Sequence, residues 1–140
     1  MTEFTVRTTT RNEFVEITDR VQEGVAAAGL REGICVVYCP HTTAAITVNE
    51  NADPDVVHDM LLYLNKTIPQ HQPGFRHAEG NSDSHIKASL VGPSVTLIVS
   101  GGKVVLGRWQ GVYFCEFDGP RTRRVHVTVV GSAGAAGQRD

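Results

Sequence analysis

The chain lacks an excess of either charge: 13 Lys and Arg against 15 Asp and Glu leave a formal net charge of −2. A nucleic-acid-binding domain would show a basic surplus, so that class is excluded. No polybasic patch suits a membrane surface either. Only Pro120-Arg121-Thr122-Arg123-Arg124 is locally basic, and in a strand Arg121 and Arg123 share one face while Arg124 takes the other. No apolar stretch reaches the roughly 18–20 residues of a spanning helix. The N-terminus has no apolar signal core, so the expected location is cytoplasmic. Cysteine is scarce: Cys35, Cys39 and Cys115. Cys35 and Cys39 lie on one face of an expected strand, about 13 Å apart at roughly 3.3 Å per residue. That is beyond the span of a disulfide, so buried thiols are expected.

Several motifs are also missing. There is no Gly-x-x-x-x-Gly-Lys-Ser/Thr phosphate loop, no Gly-x-Gly-x-x-Gly fingerprint, no Gly-x-Ser-x-Gly elbow and no Cys-x-x-Cys. No repeat of solenoid period occurs. What remains is 140 residues of ordinary composition, 41% hydrophobic, enough for one domain with a real core.

The elements follow from local pattern. Phe4–Thr8 and Phe14–Ile17 read as a strand pair around Thr10-Arg11-Asn12-Glu13. Thr18 or Asp19 opens a helix whose stripe is Val21, Val25 and Ala28, with Gly29 as C-cap. Valine-rich Gly33–Tyr38 reads as a buried strand and Ala44–Val48 as another. Asp53-Pro54 is an N-cap followed by proline at the first helical position; Val57, Met60, Leu61 and Leu64 form that helix's apolar stripe. A shorter helix capped by Ser82 or Asp83 runs to Leu90. A hairpin over Val95–Val99 and Val104–Leu106 turns at Gly101-Gly102. Two strands, Val112–Phe117 and Arg124–Val130, flank Asp118-Gly119-Pro120. The expected fold is α+β: mainly antiparallel sheets with two to three helices on one side. Residues 1–131 form the domain and 132–140 a flexible tail.

Chemistry concentrates in three polar runs set beside apolar ones. His77-Ala78-Glu79-Gly80-Asn81-Ser82-Asp83-Ser84-His85 holds two imidazoles, two carboxylates and a carboxamide, with almost nothing that can pack a core. His41-Thr42-Thr43 follows one strand, and Asn49-Glu50-Asn51 follows the next. His41, His77 and His85, with Glu79 or Glu50 nearby, could assemble a three-imidazole metal centre with an open position; equally, they are loop and capping histidines. Asp83 reads as a helix cap rather than a catalyst. Asn81 marks a turn or orients a substrate. Trp109, between Gly107 and Gly111, is a pocket wall or a packing plug. Lys87, Arg108 and Arg121 are candidate anion-binding cations, with a salt bridge to Glu116 or Asp118 as the alternative for Arg121. Cys115 has no histidine beside it in sequence and is a poor nucleophile.

Three long segments carry a resemblance: His41–Val56, His77–Leu90 and Leu106–Arg121. Together they are similar to the signature of the YjbQ-like family, and the similarity covers essentially residues 2 to 131. The family is often given the name secondary thiamine-phosphate synthase. The resemblance implies a compact domain of packed β-sheets that assembles as a homotrimer, and an activity joining a pyrimidine diphosphate to a thiazole phosphate. It implies Glu50, Glu79, Asp83 and Arg121 as catalytic candidates, Asn49, Asn81, Lys87 and Trp109 as substrate-binding ones, and His41, His77 and His85 as ligands of a divalent metal, Zn or Mg.

Two classes of function are therefore set against each other. One is a metal-assisted transferase acting on small phosphorylated metabolites, with a metal-dependent hydrolase as its enzymatic variant. The other is a trimeric module that binds a metabolite or metal without turnover.

Overall fold

The structure is a computed structural model that describes residues 1–133. Eight strands and three helices run in the order β1 (Thr2–Arg7), β2 (Glu13–Glu16), α1 (Thr18–Ala28), β3 (Glu32–Tyr38), β4 (Ala44–Glu50), α2 (Pro54–Thr67), α3 (Ser82–Val91), β5 (Ser94–Ser100), β6 (Lys103–Val104), β7 (Gln110–Glu116) and β8 (Thr122–Ser132). They build a five-stranded sheet, β1-β8-β3-β5-β6, and a three-stranded sheet, β2-β7-β4. Every strand pair is antiparallel.

The two sheets face each other, as alternating patterns require when one face must be buried. Phe4, Val6, Cys35, Val37, Val99, Val125 and Val127 of the larger sheet meet Ala44, Ile46, Val112 and Phe114 of the smaller one. Val21 and Val25 of α1 complete this core. The reverse face of the smaller sheet is buried as well: Ala45, Tyr113, Cys115 and Phe117 pack under Ala88 of α3, with Leu64 of α2 alongside. Strand β7 is therefore covered on both faces, which explains its unbroken apolar run. All three helices lie on one side of the larger sheet, in two layers.

Some local expectations give way to tertiary structure. β1 and β2 do not pair with each other; β1 joins β8 and β2 joins β7. The intervening turn carries the chain from one sheet to the other. Residue Ile17, not Thr18 or Asp19, caps α1, because the Thr18 hydroxyl accepts the Val112 N–H at 2.9 Å. Asp53 caps α2 as its sequence requires, accepting from the Asp55 N–H at 2.9 Å. Strand β8 continues through Ser132; residues 134–140 of the expected tail lie outside the described residues.

Asn81 caps α3, and Asp83 takes a different role. Its carboxylate is fully buried and holds the Arg11 guanidinium in two bonds of 2.9 and 3.0 Å. Lys87, 1% exposed and one helical turn on, donates to Asp83 at 3.3 Å, to Asn65 at 2.7 Å and to Asn12 at 3.2 Å. This cluster ties the first turn of α3 to the β1–β2 turn and to α2. Burial alone would raise the Asp83 pKa, but Arg11 and Lys87 outweigh it and hold the carboxyl below its ordinary value. A depressed folded pKa stabilises at all pH above the unfolded carboxylate value and loses that contribution as pH falls through the folded one. Asp83→Asn leaves Lys87 buried without its counter-charge. It is expected to lower the unfolding free energy in urea by about 3–5 kcal/mol at pH 7. The parent should also lose stability more steeply than the variant below about pH 4.

Candidate functional site

Three crossovers between the sheets meet at one end of the sandwich: Thr8–Asn12 between β1 and β2, Cys39–Thr43 between β3 and β4, and Phe117–Arg121 between β7 and β8. Backbone bonds lace them together: Thr8 N–H to Arg121 O at 2.9 Å, Gly119 N–H to Arg11 O at 3.0 Å, and Phe117 N–H to Thr43 O at 3.2 Å. The packing around Gly119 leaves no room for a side chain. A Cβ there would sit 2.4 Å from Thr10 O and 2.8 Å from Glu116 Cγ.

Beneath these crossovers lies a buried ion pair. Glu116 is fully buried and Arg123 is 4% exposed. Arg123 Nε donates to Glu116 Oε1 at 2.8 Å, its Nη2 donates to Glu116 Oε2, and Nη2 also reaches Thr43 Oγ1 at 2.9 Å. The Thr8 hydroxyl donates to the same carboxylate at 2.7 Å and accepts the Arg121 N–H at 2.8 Å. Burial works against the Glu116 charge, yet Arg123, Thr8 and the Asp118 N–H together keep its pKa below the ordinary carboxylate value. The sequence pattern offered Glu116 only as a partner for Arg121 and Arg123 only as part of a basic run, and did not join the two. The signal was present: Arg123 shares a β8 face with Val125 and Val127, and Glu116 ends an apolar run, so each is a charge on a buried face that must find a partner.

Above the pair opens a polar cavity of about 450 Å³. His41, His77, Glu79, Asn81, His85 and Arg121 all line it, beside Thr42, Asp118 and Arg123. Six residues singled out from sequence thus converge, although dozens of positions separate His41 from the rest. His77 and His85 stand edge to face with ring centroids 5.5 Å apart. Arg121 holds Asp118 through Nε to the backbone O at 2.8 Å and through Nη2 to Oδ2 at 3.0 Å; among the described residues its Nη1 has no partner. Asp118 in turn accepts from Asn81 Nδ2 at 2.8 Å, which fixes the amide orientation and leaves Asn81 Oδ1 buried without a partner.

The other predicted residues lie elsewhere. Asp83 and Lys87 belong to the buried cluster under α3 and present no free group to the cavity. Asn49, Glu50 and Trp109 sit at the opposite end of β4, about 23 Å from Thr43 at roughly 3.3 Å per residue. There Glu50 accepts the Asp53 N–H at 3.2 Å, Asn49 accepts the Glu50 N–H at 2.7 Å, and Trp109 is 58% exposed under the Arg108 guanidinium. These groups stand at a strand end, as the pattern places them, but at the end away from the histidines.

The donor set also speaks against the expected three-imidazole centre within this chain. His41 Nε2 accepts the Arg124 N–H at 2.9 Å, and among the described residues no three His, Cys, Asp or Glu side chains gather around a common point. Mg²⁺, which takes oxygen ligands, would meet Asp118 already engaged by Asn81 and Arg121. The thiols offer no nucleophile either: burial raises Cys35 and Cys39 to about 11 and Cys115 further still.

The comparisons fit this fold. A sequence profile of the family described as UPF0047 protein YjbQ-like matches residues 2–132. The chain belongs to this family. It is 49% identical over 128 residues to a UPF0047 protein of Methanocaldococcus jannaschii, covering 91% of this chain and 92% of that one. It is 48% identical over 126 residues to the UPF0047 protein YugU of Bacillus subtilis, covering 90% and 96%. A crystal structure from Clostridium acetobutylicum, described as an uncharacterized conserved protein of the yjbq/upf0047 family, superposes with a TM-score of 0.90 at 49% identity, covering 93% of this chain and all of that one. Among the described residues of this YjbQ-like chain, no helix is long and apolar enough to cross a membrane.

The imidazole geometry sets one test. With Nε2 accepting from Arg124, neutral His41 must carry its proton on Nδ1. Burial, then the charges of Arg123 and Arg124, lower its pKa below 6.5. Nitrogen-15 imidazole spectra should show an Nδ1–H tautomer and a titration midpoint under that value. An Nε2–H tautomer would contradict the assigned bond.

Proposed function

We propose that this YjbQ-like protein is a transferase of the secondary thiamine-phosphate synthase type, joining a pyrimidine diphosphate to a thiazole phosphate in the crossover cavity. The observation that carries the reading is the cavity wall, which sets Arg121, three imidazoles and the Asn81 amide beside the carboxylates of Glu79 and Asp118, with no activated nucleophile. In the reaction the thiazole nitrogen attacks the methylene carbon of the pyrimidine. The C–N bond forms as the C–O bond to the diphosphate breaks, and the electron pair leaves with pyrophosphate. The attacking nitrogen carries no proton, so no general base is required. What the step needs is stabilisation of charge on the leaving group. Arg121 and the Nδ1–H of His41 supply donors of the right kind, and a guanidinium grips phosphate oxygens in pairs. Asn81 Oδ1 offers a buried acceptor to an amino group on the pyrimidine, which would relieve its missing bond.

The rival reading, a binding module without turnover, is favoured by the Arg121–Asp118 contact, which already occupies much of that guanidinium. Chromatographic detection of thiamine phosphate from the two substrates decides between them. Arg121→Lys is expected to reduce kcat/KM by about 10²-fold at nearly unchanged melting temperature. Pyrophosphate binding with no product from the parent would establish the binding module instead.

A homotrimer belongs to the same reading. Its support is the outer face of the larger sheet, where Val130, Ile34 and Ile98 stand in register across β8, β3 and β5. They are 64%, 43% and 61% exposed. Such an apolar row on an exposed sheet face is the kind of surface a partner subunit would cover. Light scattering should give a mass three times the 15.2 kDa subunit, and Ile34→Glu should return it to the subunit mass. A parent that scatters as a monomer at micromolar concentration overturns the trimer.

A further inference from the structure

We propose that β1 is a self-pairing edge: it joins antiparallel to β1 of a second copy, centred on Thr5, so that the larger sheets of the two copies run on as one. The inference stands apart from the transferase reading. β1 is the last strand of the larger sheet and pairs only with β8, whereas β6 at the other edge is two residues long. The Thr8 N–H bonds to Arg121 O at 2.9 Å and continues the register of β1 on β8. Residues that exchange bonds across an antiparallel pair alternate along the strand. Phe4 and Val6 therefore bond to β8, and Glu3, Thr5 and Arg7 turn their N–H and C=O groups away from it. Among the described residues no backbone group bonds to those outward groups.

An edge of this kind is normally guarded by proline, lysine or a bulge. β1 has none of these, and its register on β8 is unbroken. Nor do its charges repel a second copy. With Thr5 opposite the partner's Thr5, Glu3 lies opposite the partner's Arg7 and Arg7 opposite the partner's Glu3. All of these side chains are exposed on one face of the sheet, and opposite charges that face each other across strands attract. Arg7 makes no ion pair among the described residues, and Glu3 is approached by His126 Nδ1 at 3.4 Å. On the buried face Phe4 meets the partner's Val6, which carries the core layer from one copy into the next. Each outward N–H and C=O of Glu3, Thr5 and Arg7 gains a backbone partner.

The register is specified by the same residues. A slip of one position sets exposed Glu3 opposite buried Val6, and a slip of two loses both ion pairs. The junction is small, because one edge of six residues lies at the low end of transient interfaces. The pairing therefore shows at roughly 0.1–1 mM protein, above the micromolar range in which the trimer is measured. It uses the edge of the sheet rather than the apolar row on its face.

The test is oxidative disulfide linking of the full chain carrying Thr5→Cys, at about 0.5 mM protein. Residues that exchange bonds across an antiparallel pair have Cα atoms about 5.5 Å apart, within disulfide reach. The native thiols do not interfere, because Cys35, Cys39 and Cys115 are buried. Asp59→Cys, on the exposed side of α2, measures the rate of chance collision. Thr5→Cys should link at least about ten-fold faster than that. Adding Glu3→Arg or Arg7→Glu to Thr5→Cys sets like charges opposite each other and should return linking to the collision rate. The two reversals together should restore it. Linking of Thr5→Cys no faster than Asp59→Cys overturns the pairing. So does a rate indifferent to the single reversals, or a double reversal that restores nothing. Faster linking through Glu3→Cys than through Thr5→Cys would place the copies in another register and overturns it as well.

Discussion

The Glu116–Arg123 pair is the constraint on which the candidate site depends. Two charges are sealed beneath three chain crossovers, and each is satisfied only because the others bring their polar groups to it: Thr8 from the first, Thr43 from the second, and Asp118 from the third. A charge buried without such partners costs several kcal/mol. The crossovers therefore cannot separate without exposing that cost, and the cavity above them inherits their rigidity. A site made of loops is fixed here by electrostatics below it rather than by the loops' own packing.

The Arg11–Asp83–Lys87 cluster does the same for the other wall. The first turn of α3 presents Asn81 and His85 to the cavity, and Asp83, between them in sequence, looks the opposite way into the protein. Helical geometry makes this division natural, since residues two apart point to different sides. The anchor and the exposed groups alternate along one short stretch, so the cavity wall is positioned by the residue that takes no part in it.

Much of the fold was legible in the sequence. Period-2 runs gave the strands, Asp53-Pro54 gave the start of α2, Gly29 the end of α1, and two glycines with positive φ the β5–β6 turn. Pairing was less legible: β1 and β2 look like a hairpin because their spacing suits one, and only the burial of Phe4 and Val6 against the other sheet sends them apart. The site divides the same way. His41 and the His77–His85 run were visible as polar residues that no core could use. Glu50 and Trp109 were visible too, but a strand has two ends, and local pattern does not say which one faces the histidines. The pairing of Arg123 with Glu116 was hidden because an alternation rule reads face, not partner.

Strand β7 carries a consequence for how the molecule comes apart. Its two faces belong to different hydrophobic clusters, with Val112 and Phe114 in one and Tyr113 and Cys115 in the other. Neither cluster has a wall of its own on that side. Loosening the helical layer would strip one face of the strand that closes the sandwich, and opening the sandwich would strip the floor from under the helices. The protein therefore has no half that can melt while the other persists, and the crossover cavity exists only in the fully assembled state.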